Sequence, residues 1–266
     1  MSDASTGQVN TSAAEVYDEF FLPALFGQWA EQVADAAQIE AGQQVLDVAC
    51  GTGVLARAIA ARVVPGGSVV GLDINEGMLA VAARKAPQIQ WKRAPAEALP
   101  FADNHFDRVV SQFGLMFFQD GRTAVSEILR VLKPGGRLVV AVWASLEATP
   151  GYAAITQLLE RLFGADVADA LRAPFCLGEP MTLAGLFADA GVRTPDLRTL
   201  KGTARFPSIE SWIFTDVKGW SLADMIDDRQ YDRLLQEAKV ALSSFVTADG
   251  SVMFDAPAHL VIATKE

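Results

Sequence analysis

Between about residue 44 and residue 144 the chain alternates short, β-rich apolar runs with helical patterns, an order that points to βαβ units and a parallel sheet. Strands are predicted at Gln44–Ala49, Ser68–Asp73, Ile89–Ala94, Phe106–Gln112 and Gly136–Trp143. Helices are predicted between them at Val54–Val63, Gly77–Lys85 and Gly121–Leu132, from apolar positions recurring at helical spacing. The breaks agree with this division. Pro65-Gly66-Gly67 stops the first helix before the second strand, and Lys133-Pro134-Gly135-Gly136 turns the third helix into the fifth strand.

The flanks are of a different character. Ala14–Ala37 is rich in aromatics, Tyr17, Phe20, Phe21, Phe26 and Trp29, and reads as helical with an interruption at Pro23. Downstream, Thr149–Phe163 and Thr182–Ala190 read as helices, and Arg198–Phe206 and His259–Lys265 as strands. Helix-like stretches at Ser208–Lys218 and Arg229–Ser244 form an excursion between two strands that would otherwise make a hairpin. There is no internal repeat and no low-complexity tract.

With 51% hydrophobic and 20% charged residues, the chain belongs with compact globular proteins. Its polar start, and the lack of an apolar run near the roughly 18 residues of a membrane span, make a soluble cytoplasmic protein the default expectation. A net charge of −10 repels polyanions, which argues against a nucleic-acid partner. The two cysteines, Cys50 and Cys176, have no C-x-x-C spacing and no histidine cluster, so both read as buried thiols and no metal is expected.

Gly51-x-Gly53-x-x-Ala56 follows a strand and opens a helix, and Asp73 ends the next strand. Spacing of this kind serves a dinucleotide as readily as other nucleoside ligands: small residues let the ligand approach, helix-terminal N–H groups donate, and the acid accepts from ribose hydroxyls. Asp47, four residues before Gly51, is awkward for a pyrophosphate and suits an ammonium such as that of a methionine moiety. Its alternative role is a turn-forming aspartate bonded to its own loop.

Val45-Leu46-Asp47-Val48-Ala49-Cys50-Gly51-Thr52-Gly53 resembles the first motif of class I S-adenosylmethionine-dependent methyltransferases. The likeness continues through Val70–Leu79, Ala96–Phe101 and Arg130–Gly136, and is to the branch that includes ubiquinone and menaquinone biosynthesis methyltransferases. It implies a Rossmann-like α/β fold, with a seven-stranded, mostly parallel sheet whose last strand is antiparallel. On that basis residues 1–266 form a single domain with a cofactor core at 38–145. Residues 1–37, 146–190 and 207–258 form a largely helical cap.

The resemblance implies S-adenosylmethionine as cofactor, with Asp47, Ala49, Gly51 and Gly53 around its methionine part and Asp73 on the ribose hydroxyls. Ile74 and Met78 would edge the adenine, with plain core packing as the alternative for Met78. Ala96 would offer its N–H to the ring. Pro95 stands where the family commonly carries an aspartate that reads the adenine amine, which leaves Glu97 as a candidate acceptor or a solvated glutamate.

Ligands of open parallel sheets lie beyond the carboxyl ends of the strands, which places Gln112 and Phe113 beside the transferred methyl. Leu115-Met116-Phe117-Phe118 would extend an apolar wall. Phe20, Phe21, Phe175, Trp212, Phe214 and Trp220 are further aromatics for a substrate pocket, a cap core or a dimer interface, so a homodimer stays open. His259 is on the correct edge for a general base, with a strand-cap histidine as the plainer reading, while His105 reads as a surface residue. Tyr17 is either a polar pocket group or a buried aromatic.

The expected function is methyl transfer to a small, largely apolar molecule at an oxygen, carbon or nitrogen acceptor. An NAD(P)-dependent oxidoreductase and a non-catalytic S-adenosylmethionine-binding protein are the alternatives.

Overall fold

The computed structural model describes residues 11–219 and 221–266. The chain begins with α1 (Thr11–Val16), a π-helix (Tyr17–Phe26) and α2 (Trp29–Ala36). Pro23 lies inside the π-helix, and the break falls instead at Gly27 and Gln28. The Gly27 N–H reaches the Leu22 carbonyl at 2.7 Å, an i→i−5 bond. We attribute the uninterrupted run to this wider turn, which gives the proline ring room that an α-helical turn lacks.

Four strands follow with their helices: β1 (Gln44–Val48), α3 (Val54–Arg62), β2 (Ser68–Asp73), α4 (Glu76–Lys85), β3 (Gln90–Arg93), β4 (Phe106–Gln112) and α5 (Gly121–Val131). Their bounds lie within two residues of the predicted ones. α5 shows why the pattern was readable, since Ala124, Val125, Ile128 and Val131 make one buried stripe and the Asp120 carboxylate caps the first turn through the Thr123 N–H at 3.0 Å.

β5 (Leu132–Trp143) starts earlier than predicted, because Leu132 already pairs with Phe106 before the register jumps to Arg108 and Arg137. Lys133-Pro134-Gly135-Gly136 is thus a bulge within the strand. Next come α6 (Pro150–Phe163), the unforeseen α7 (Ala165–Arg172), α8 (Pro180–Asp189) and β6 (Asp196–Leu200).

The predicted strand Arg198–Phe206 is in fact two, β6 and β7 (Thr203–Phe206). Lys201 and Gly202 divide them, where a Cβ on Gly202 would come within 2.2 Å of the Trp29 ring and 2.4 Å of the Ala256 carbonyl oxygen. The chain squeezes past Trp29 there and leaves the main sheet. After α9 (Ile209–Lys218) and α10 (Asp228–Ala241), β8 (Val252–Asp255) pairs with β7 in a separate ribbon, and β9 (Ala258–Thr264) returns to the main sheet.

The main sheet has the order β3-β2-β1-β4-β5-β9-β6. β1 to β5 pair in parallel and β9 runs antiparallel to both β5 and β6, as the family resemblance implied. The chain reverses its direction of winding between β1 and β4, and such a switch point leaves a crevice at the strands' carboxyl ends. Among the described residues no helix is long and apolar enough to cross a membrane. Cys50 is buried as expected, but Cys176 is exposed, its thiol lying 3.7 Å from the Met116 carbonyl beyond a short 3₁₀ turn.

Candidate active site

The crevice beyond β1, β2 and β4 opens into a cavity of about 700 Å³. Asp47, Asp73 and Glu97 line it, and among the described residues no lysine, arginine or histidine does. Such a wall favours a cationic ligand over a phosphate.

Asp47, next to last in β1, has only 1% of its surface exposed, and neither carboxylate oxygen has a hydrogen-bond partner. It is therefore not the loop-bonded turn aspartate of the alternative reading. Burial pushes its pKa well above the ordinary range; the nearby Ala56 N–H offsets part of this, and Asp73 adds to it. A buried acceptor left unsatisfied is costly, so this carboxyl is set up for a donor arriving from outside the chain.

Asp73 joins two loops. One oxygen accepts the Gly51 N–H at 2.8 Å and the other the Asn75 N–H at 2.8 Å. Each oxygen keeps a lone pair for an incoming hydroxyl. Burial raises its pKa despite these bonds.

The two motif glycines do different work. A Cβ at Gly51 (φ +54) would meet nothing within 4 Å, so this residue keeps a left-handed turn beside open cavity. At Gly53 (φ +83) a Cβ would lie 2.4 Å from the Trp91 ring. Gly53 does not line the cavity, and its role is to let α3 start close against β3. Ala49 holds φ +57 in the same loop.

At the far end of this wall Ile74, 44% exposed, and Met78 face the cavity with Ala96 and Glu97. An apolar side chain so exposed inside a crevice suits a ring-shaped ligand better than core packing. One Glu97 oxygen already accepts the N–H groups of Gln119 at 2.8 Å and Asp120 at 3.3 Å. Glu97 thereby ties its own loop to the start of α5.

On the other side, Gln112 donates to the Phe26 carbonyl at 3.3 Å while its own side-chain oxygen is buried without a partner. Phe113 lines the cavity at a positive φ of +57, rare for a bulky residue, and its ring stacks on Trp143 at 3.8 Å. Met116, Phe117 and Phe118 continue the apolar wall, and Tyr17 closes it from the π-helix. Burial, then Asp73 and Asp18, push the Tyr17 hydroxyl far up, so it stays protonated and can act only as a donor or neutral acceptor near neutral pH.

Several candidates lie elsewhere. His259 is buried outside the cavity, with Nδ1 2.8 Å from the Thr199 hydroxyl and Nε2 2.9 Å from the Gly178 carbonyl. A carbonyl only accepts, so Nε2 carries the proton and both nitrogens are engaged, as for a strand-cap histidine rather than a base. His105 is exposed, as expected of a surface residue.

Trp212, fully buried, stacks on Phe206 at 5.6 Å and packs on Phe254 at 4.7 Å in the core of the cap. Phe20 meets Phe214 edge-on at 5.5 Å, away from the cavity. Phe21 and Phe175 line a second, smaller space. Trp220 lies outside the described residues.

Thr52, whose hydroxyl is buried and unpartnered at the cavity wall, also lines the site, as do Gln119, Ala173 and Gly219, none of them predicted from the sequence. Thr52 lay inside the glycine motif and could have been singled out there. The last two come from cap turns that no local motif marks.

Comparison with known proteins extends the likeness beyond short motifs. The demethylmenaquinone methyltransferase of Renibacterium salmoninarum is 43% identical over 134 residues, which cover 50% of this chain and 55% of that one. The ubiquinone/menaquinone biosynthesis C-methyltransferase UbiE of Ectopseudomonas mendocina is 41% identical over 142 residues, 50% of this chain and 56% of that one. The chain thus spans about half the length of the curated relatives it matches.

Among solved structures, a methyltransferase-like protein of Bacillus halodurans superposes with a TM-score of 0.62 at 22% identity, covering 89% of this chain and 98% of that one. The phosphoethanolamine N-methyltransferase 2 of Haemonchus contortus, in complex with S-adenosylmethionine, does so with a TM-score of 0.60 at 19% identity, covering 97% of this chain and 58% of that one. These two share its fold. The ubiE/COQ5 methyltransferase family matches residues 3–163, more than half of the sequence, and the chain therefore belongs to that family.

Proposed function

We infer that the protein transfers a methyl group from S-adenosylmethionine to a small, largely apolar acceptor. The observation that carries this reading is the acid-lined cavity, in which Asp47 presents two unpartnered oxygens and, among the described residues, no cationic side chain awaits a phosphate. S-adenosylmethionine bears an ammonium and a sulfonium and fits that charge pattern. A nicotinamide dinucleotide, with its pyrophosphate, does not.

When bound, the cofactor supplies a methyl group on a positively charged sulfur, so positioning accounts for much of what the protein must contribute. Asp47 holds the ammonium and Asp73 accepts from the ribose hydroxyls. Ile74 and Met78 edge the adenine beside the Ala96 N–H, and Glu97 has its second oxygen left for the amine. Gln112 and Phe113 border the methyl, while Phe117 and Tyr17 shape the acceptor side, with the Tyr17 hydroxyl as donor. Residues 38–145 carry the cofactor, and the cap segments within 1–37, 146–190 and 207–258 enclose the acceptor in the same domain.

The names of the relatives make a quinol-type ring, methylated at carbon, the first acceptor to try. Incubation with methyl-labelled S-adenosylmethionine and a panel of reduced naphthoquinones should move label into an organic-extractable product. If label reached no acceptor in the panel or in cell extract while S-adenosylhomocysteine still bound, the non-catalytic alternative would replace this reading.

A further inference from the structure

Three residues that line the large cavity carry buried polar atoms with no hydrogen-bond partner in the chain: Asp47 with both oxygens, Thr52 with its hydroxyl and Gln112 with its amide oxygen. Asp47 and Thr52 belong to the strand end and glycine turn on the cofactor side. Gln112 is the last residue of β4 and stands across the cavity with Phe113. A buried amide acceptor left unsatisfied is costly, so its oxygen calls for a donor from a ligand.

The amide is fixed end for end. Its Nε2 donates to the carbonyl of Phe26, the last residue of the π-helix, at 3.3 Å. Turned over, the amide would set its own oxygen against that carbonyl oxygen, two acceptors with no hydrogen between them. What Gln112 has left for a ligand is therefore an acceptor, which can take an O–H or N–H and cannot serve a carbonyl or an ether.

Successive side chains of a strand point to opposite faces, yet Gln112 and Phe113 both line the cavity. The φ of +57 at Phe113 ends the alternation, and the Phe113 N–H, donating to the Ala141 carbonyl at 2.9 Å, holds the turn in place. An apolar ring surface is thereby set beside the amide. Asp47 pairs in register with Val110, so Gln112 lies two residues, roughly 6–7 Å, further along β4 than the position opposite Asp47. Gln112 is therefore displaced from the ammonium site towards the wall of Phe113, Met116 and Phe117.

We propose that Gln112 is a specificity-determining residue of the acceptor site, its amide oxygen accepting the hydrogen bond of a hydroxyl on an apolar ring. The inference rests on the methyl-transfer reading. A ring with a hydroxyl at that position satisfies the oxygen. One with an ether there leaves it buried and unpartnered, and a site built around a hydrogen bond rejects such an analogue.

The test is calorimetric titration of the full chain, first with S-adenosylhomocysteine and then, once saturated, with 1-naphthol or 1-methoxynaphthalene. The wild type should bind 1-naphthol at least about tenfold more tightly than the ether, which cannot donate. Q112L replaces the amide by an apolar group and should bind the two probes within about twofold of each other, its affinity for S-adenosylhomocysteine staying within about twofold of the wild type.

Absence of a preference in the S-adenosylhomocysteine-loaded wild type, whether both probes bind equally or neither binds, overturns the proposal. So does a preference that survives in Q112L. A loss of S-adenosylhomocysteine affinity in Q112L beyond about twofold assigns the oxygen to the cofactor's ammonium and overturns it as well. If Q112L does not fold, Q112M takes its place with the same expected results. A wild type that binds no S-adenosylhomocysteine is seen in the first titration and refutes the methyl-donor reading itself.

Discussion

Asp47 and Asp216 are both almost wholly buried carboxyls with unpartnered oxygens, yet they stand in surroundings of opposite construction. Asp47 sits at a strand end where backbone conformation sets the shape: left-handed residues at 49, 51 and 53 carry the chain around the cavity. Asp216 sits on a cap helix where side-chain packing sets the shape, among Tyr152, Trp212 and the rings behind Phe113. Substitutions in the floor should therefore register first in ligand binding, and those in the cap core in stability.

The strongest attempt to break that contrast is Trp212→Ala. Removing a fully buried indole should cost about 3–5 kcal/mol of unfolding free energy in denaturant melts. Calorimetry on the folded fraction should still give S-adenosylhomocysteine affinity within about twofold of the wild type. A large loss of affinity would mean that cap and floor are not separable in this way.

Asp47→Asn should do the reverse. Losing the charge opposite the ammonium should weaken S-adenosylmethionine binding by about 3 kcal/mol, roughly 100-fold. The ligand-free protein should be no less stable, since the variant removes a buried, unpaired carboxyl.

Gly53→Ala sharpens the comparison within the floor. A methyl against Trp91 at positive φ should cost about 2 kcal/mol of stability, whereas Gly51→Ala, with open space around it, should cost about 1 kcal/mol and act mainly on binding. Equal losses of stability at the two sites would contradict the separate roles given to them.

A further contrast lies in the pH dependence. An acid whose pKa is raised on folding by burial, from 3.8 to about 8 for Asp216, contributes stability that is full below 3.8 and lost as pH rises through about 8. Relative to D216N, the wild type should lose stability between pH 6 and 8 by at most about 1.4 kcal/mol per pH unit, and level off above about pH 9. Parallel melting curves across that range would show that Asp216 titrates normally.

The floor was readable from sequence because its determinants are local. A glycine turn, an acid at each of two strand ends and a periodic apolar stripe such as that of α5 fix strand ends and helix starts within a few residues. The cap was readable only as helices and aromatics. The π-helical turn through Pro23 has no signature in the apolar periodicity, and the kink at Gly202 against Trp29 and the β7–β8 ribbon depend on contacts between residues far apart in the chain.

The packing constraint on Gly53 was hidden for the same reason, since it comes from Trp91 and not from its own motif. His259 had the right strand edge but faced Thr199 and Gly178, which no local pattern reveals.

Calorimetric titration of the wild type with S-adenosylhomocysteine and with NADH distinguishes an acid-lined floor suited to a methyl donor from one suited to a dinucleotide. Saturable binding of S-adenosylhomocysteine and none of NADH is the expected result. Binding of NADH without S-adenosylhomocysteine would contradict it.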